Sequence, residues 1–105
     1  METPDLINFV YDKLDDMKAN GLVTLDVAEK SSVTDAMIVC SGTSKRHVVS
    51  IANNLVKEAK DHELDILGVE GESAGEWVLI DLSNVVVHVM QESTRDFYQL
   101  EKLWG

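Results

Sequence analysis

WVLIDLSNVVVHVM, residues 77–90, is two apolar runs separated by Ser83 and Asn84. Runs rich in β-branched and large apolar residues on either side of a two-residue polar break read as two antiparallel strands and a tight turn. Asn84 is the residue expected to take the positive φ that such turns require. In that register Leu82 stands opposite Val85, Ile80 opposite Val87 and Val78 opposite Val89. A face made only of those side chains has to be core. The other face pairs Asp81 with Val86, Leu79 with His88 and Trp77 with Met90, so it mixes an acid, an imidazole and four large apolar groups.

Upstream of the hairpin, the glycine-bearing turn GESAG follows a short strand, DILGVE. Before these, Val48, Ile51, Ala52, Leu55, Val56 and Ala59 recur at helical spacing as far as about Asp61. SGTSKRH introduces that helix, with Gly42 breaking the preceding strand and Thr43 or Ser44 as the cap. AMIVCS is apolar throughout and reads as a central strand, whereas LVTLDVA alternates and reads as a half-buried one. At the start, Thr3 and Pro4 read as N-cap and first helical position. Leu6, Val10, Leu14 and Met17 continue the helix until Asn20 and Gly21 stop it. After the hairpin, Ser93 or Thr94 caps a final helix with Phe97, Leu100, Leu103 and Trp104 as its apolar stripe.

The order is helix, strand, strand, helix, three strands, helix. It specifies an α/β chain of α+β-like character, a mixed five-stranded sheet with three flanking helices, in one domain over residues 1–105. Because each helix covers only about 10 Å of sheet, three of them are expected mainly on one side, leaving the mixed face of the hairpin partly open. Trp, Leu, Val and Met beside polar groups are what protein interfaces enrich. A helix lying over this face is the alternative, and Trp77 is then simply core.

Nine Lys and Arg against 19 Asp and Glu give a formal charge of −10, which repels phosphate backbones and suits a basic partner surface. No direct sequence-specific nucleic-acid binding is expected, since Lys45 and Arg46 are too small a basic patch. The lone Cys40 inside an apolar run fits a buried thiol in a reducing compartment. METPDLINFVYDKLDD has the features of neither a signal nor a transit peptide, and no apolar stretch reaches the ~18 residues of a membrane span. A cytoplasmic location is the expectation.

Catalysis needs convergent polar groups, and here they are scattered. His47, His62 and His88 form no pair at ligand spacing and there is no thiol cluster, so no metal site and no cofactor is expected. SGTS at a strand-to-helix junction is the most enzyme-like feature, because amides at a helix N-terminus bind anions. It lacks the spacing of a phosphate-binding loop, and capping chemistry accounts for it. Ser41 and Ser44 have no nucleophile elbow around them. Glu70 and Glu72 are read as an exposed acidic turn rather than a cation site.

Two segments, SSVTDAMIVCSGTSKRHVVSIANNL and GVEGESAGEWVLIDLSNVVVHVMQESTRDFYQLEKLW, carry a resemblance to the ribosomal silencing factors, also called RsfS, Iojap or YbeB. Asp35, the GTS at Gly42 to Ser44, His47, Glu70 and Gly71, Trp77, Asp81, the VVHV around His88, Tyr98 and Leu103-Trp104 stand in that family's order and spacing. The resemblance implies a nucleotidyltransferase-like fold without the catalytic carboxylates and no enzymatic activity. It also implies docking on the large ribosomal subunit through ribosomal protein L-fourteen, which blocks subunit joining when nutrients are scarce, and a homodimer in the free state. The contact residues it suggests, with the surface argument, are Trp77, Leu79, Asp81, His88 and Met90, with Glu70, Tyr98 and Leu103 at the edge. The alternative is a nucleotide-binding or nucleotidyl-transferring enzyme using the SGTS turn.

Overall fold

A computed structural model describes residues 1–32 and 34–104. The elements are α1 (Thr3–Asp16), β1 (Asn20–Asp26), β2 (Ala36–Gly42), α2 (Lys45–Asp61), β3 (Gly68–Glu70), β4 (Trp77–Asp81), β5 (Val85–Gln91), α3 (Glu92–Tyr98) and α4 (Leu100–Trp104). They form one mixed sheet in the order β1-β2-β5-β4-β3, with β2 and β5 parallel and every other pair antiparallel. The central pair, β2 and β5, is the most apolar, since a strand covered on both faces cannot alternate.

The hairpin has the register that its sequence specifies, with Trp77, Val78, Leu79, Ile80 and Asp81 facing Met90, Val89, His88, Val87 and Val86. Its turn differs in one respect. Ser83, not Asn84, takes the positive φ, at 74°, because the Asp81 carboxylate accepts the Ser83 amide at 2.9 Å and holds the backbone there.

α1 and α2 lie on one face. Leu6, Val10, Leu14, Ile51 and Leu55 pack onto Ile38, Cys40, Val78, Ile80 and Val87 in a core that is almost wholly excluded from water. Glu2, rather than Thr3, is the N-cap of α1; Thr3 is already helical and its hydroxyl donates to Asp35 at 3.1 Å. Asn20 and Gly21 begin β1 instead of stopping the helix. Lys18 ends α1 by entering the left-handed region at φ 60°, which lets the Ala19 amide close onto the Leu14 carbonyl at 3.1 Å. α2 is capped by Ser44, whose hydroxyl accepts the His47 amide.

The C-terminal segment departs most from expectation. It is two short helices, broken at Gln99, which sits in the left-handed region at φ 49°. α3 begins at Glu92 with Gln91 in the capping position, so Ser93 and Thr94 fall inside its first turn. The break rotates the two halves, and the expected stripe is divided: Leu100 is buried, but Phe97 and Leu103 are exposed. The side chain of Trp104 lies outside the described residues. The segment crosses to the sheet face opposite α1 and α2, so the helices are not all on one side. Leu100 there joins Leu25, Val27, Met37, Val39 and Met90 in a second, smaller core against which Trp77 packs.

Candidate functional site

The second face is built in rows. Strand pairing places Val39, His88, Leu79 and Glu70 side by side across β2, β5, β4 and β3, and Met37, Val86 and Asp81 in the next row. The C-terminal segment covers the β1 and β2 side of these rows. On the β4 side, Trp77, Leu79, Asp81 and Val86 remain half-buried. Between the two lies a pocket of about 360 Å³ whose wall includes Val27, Met37, Leu79, Val86, His88 and Leu100. A half-open apolar concavity on a sheet face is suited to receiving a side chain of a partner.

Trp77 stands at its edge. The indole Nε1 donates to His88 Nδ1 at 2.8 Å. The Tyr98 ring lies against the indole with centroids 4.8 Å apart, and Phe97 meets Tyr98 edge-on at 5.0 Å. The result is a chain of four rings running from the buried imidazole to solvent, where Tyr98 is 47% and Phe97 80% exposed. Such ring pairs contribute ~0.5–1.5 kcal/mol beyond the area that they bury.

The expected contact residues therefore divide into three groups. Trp77, Leu79 and Asp81 are half-buried and gathered on one face, with exposed Glu70 beyond Leu79 on the edge strand. Tyr98 and Leu103 are exposed on α3 and α4. His88 and Met90, by contrast, are 4% and 0% exposed, so neither offers surface, and they support the face from beneath. Burial pushes the His88 pKa down to about 4, which keeps the imidazole neutral near pH 7. Phe97, which its spacing assigns to the apolar stripe, is instead the most exposed aromatic ring among the described residues. The adjacent pair Phe97-Tyr98 carried a signal, since neighbouring positions on a helix point in different directions.

Nothing in the sequence singles out Arg95. Its guanidinium, largely buried, reaches the Asn20 carbonyl at 3.4 Å, the Ser41 hydroxyl at 3.3 Å and the Glu101 carboxylate at 3.3 Å, tying both short helices to the end of the sheet. Only the fold brings residues 20, 41, 95 and 101 together.

At the SGTS turn two backbone donors are taken up locally. The Thr43 amide donates to His47 Nδ1 at 2.9 Å, the His47 amide to Ser44 Oγ at 3.1 Å, and His47 Nε2 donates to the Met17 carbonyl at 2.8 Å. The imidazole thus takes up the Thr43 amide and ties the turn to the end of α1. Among the described residues, no group of three His, Cys, Asp or Glu side chains could hold a metal ion, and no helix is long and apolar enough to cross a membrane.

The model of one protein family, "Ribosomal silencing factor during starvation", matches residues 1–105. The chain is 44% identical over 100 residues to the ribosomal silencing factor RsfS of Haemophilus influenzae, a match covering 95% of this chain and 98% of that one. Its fold is similar to the crystal structure of a Chromobacterium violaceum protein, with a TM-score of 0.97 at 40% identity, covering 100% of this chain and 88% of that one. A Bacillus halodurans crystal structure gives 0.89 at 38% identity over 97% and 95% of the two chains.

Proposed function

The chain belongs to the ribosomal silencing factor family, and from that premise we propose that it docks on the large ribosomal subunit through ribosomal protein L-fourteen, sterically blocks joining with the small subunit, and represses translation under nutrient limitation. The observation that carries this reading is the half-open apolar pocket beside Trp77, on a face that also bears Asp81 and Glu70. Apolar groups at the centre of an interface supply most of the binding energy, whereas acids at its rim meet lysines or arginines and govern association rate and register. The −10 charge of the chain favours such a basic surface and disfavours direct contact with rRNA phosphates.

In this reading the protein is a non-catalytic cytoplasmic docking module. The local use of the Thr43 and His47 amides weighs against the nucleotide-handling alternative. Exposed Phe97, Tyr98 and Leu103 lie on the same C-terminal segment and would be covered in a homodimer of the free protein, so self-association and ribosome docking compete.

Sedimentation with separated subunits, followed by a joining assay, tests the proposal. Comigration with the large subunit alone and reduced joining are the expected results. Absence of comigration at modest salt rejects it.

A further inference from the structure

Among the described residues, His88 Nε2 is the buried side-chain nitrogen or oxygen atom that meets no hydrogen-bond partner. Its chemical state follows from its neighbour. An indole nitrogen only donates, so the 2.8 Å bond from Trp77 makes His88 Nδ1 an acceptor and puts the proton of the neutral ring on Nε2. The ring thus carries a buried N–H that meets no acceptor. The same imidazole forms part of the pocket wall, beside Leu79, which pairs with it across the hairpin and is half-buried.

An unmet donor at the wall of a pocket that is otherwise apolar but for Ser31, Thr34 and the indole of Trp77 selects its occupant. It requires an acceptor, and the electrostatics restrict which kind. The chain carries −10 overall, and Asp81 and Glu70 share this sheet face, so a carboxylate or phosphate is repelled. A neutral oxygen is not. Apolar walls around it call for an apolar side chain in the same segment, and the acids call for basic residues flanking it.

We propose that the pocket receives one apolar side chain from a basic segment of a protein partner, together with a neutral carbonyl oxygen of that segment, which accepts the His88 Nε2–H once the pocket side chains over it shift. This contact rests on the docking reading above and specifies its chemistry. Docking then satisfies a donor that the free chain leaves unmet, so the bond forms only in the complex.

The test uses the full chain, nitrogen-15 labelled at histidine, titrated with isolated ribosomal protein L-fourteen, with the His88 imidazole followed by NMR. The expected result is a downfield move of the Nε2 proton in the complex. In parallel, His88→Phe, which keeps a ring but cannot donate, weakens large-subunit binding by about five- to tenfold, and His88→Gln, whose amide can donate, recovers part of the loss. An unmoved Nε2 signal in a formed complex overturns the contact while leaving the docking reading intact. A signal that moves on concentrating the chain alone also overturns it, because the occupant is then a second copy. If the parent chain binds neither L-fourteen nor the large subunit, the docking reading fails first and takes the contact with it.

Discussion

Trp77 and His88 are bonded diagonally across the β4–β5 hairpin: each faces a different residue in the register, Met90 and Leu79, yet the indole donates to the imidazole at 2.8 Å with ring centroids 5.7 Å apart. The polar end of the indole is thereby turned inward and satisfied. What the ring offers outward is apolar surface, steadied by Tyr98. A large side chain held in one orientation loses little freedom on binding, which is what makes an aromatic anchor effective.

Trp77→Ala is expected to weaken large-subunit binding by about 2 kcal/mol, or roughly 30-fold, with the far-ultraviolet circular dichroism unchanged. Cosedimentation at several protein concentrations gives the ratio. Binding equal to that of the parent would show that the anchor has been misplaced.

Asp81 has two duties that substitution can separate. Its carboxylate holds the Ser83 amide of the turn at 2.9 Å and supplies negative charge to the docking face. Asp81→Asn keeps an acceptor for the turn, so stability should stay within about 0.5 kcal/mol of the parent while association slows and becomes less salt-dependent. Asp81→Ala should cost about 1 kcal/mol more in stability. Stopped-flow association and thermal melts read the two effects independently.

His88 makes the fold sensitive to acid. Its pKa is about 4 in the folded chain, lowered by burial from 6.5. Between those values the unfolded chain binds a proton that the folded chain does not, so stability rises with pH through this window. The contribution is complete above pH 6.5 and declines by at most about 3 kcal/mol as pH falls to 4. Denaturant melts at pH 7, 5.5 and 4.5 should show this decline in the parent and a shallower one in His88→Phe. Identical slopes would mean that the imidazole is not desolvated.

Cys40 should be chemically silent. Burial pushes its thiol up to about 12, only partly countered by the charge of Arg95, so almost no thiolate exists at neutral pH. A thiol reagent at pH 8 should label it only as fast as the chain unfolds. Rapid labelling of native protein would place β2 nearer to solvent than this fold does.

Gly71 positions the anchor strand. Its φ is 88°, and a Cβ there would overlap the Trp77 carbonyl oxygen. Gly71→Ala combines a disfavoured backbone with a steric clash and should cost at least about 2 kcal/mol, seen as a lowered Tm. It should also weaken docking, since β4 begins at Trp77.

What the sequence determined was whatever follows from local periodicity and turn chemistry. The paired runs at 77–90 specified the hairpin, its register and which side chains share a face, because strand residues alternate regardless of what covers them. The apolar run at 36–41 specified a central strand, and the cap at Ser44 a helix. The candidate patch was legible as a set of residues, but its depth was not. Tertiary structure alone decided that Met90 and His88 lie beneath the surface and that Phe97 faces solvent. The physical reason is the C-terminal segment. Gln99 breaks it into two helices, and Arg95 ties it to Asn20 and Ser41, which are distant in the chain. Burial is set by what packs over a residue from elsewhere, and no period along the chain encodes that.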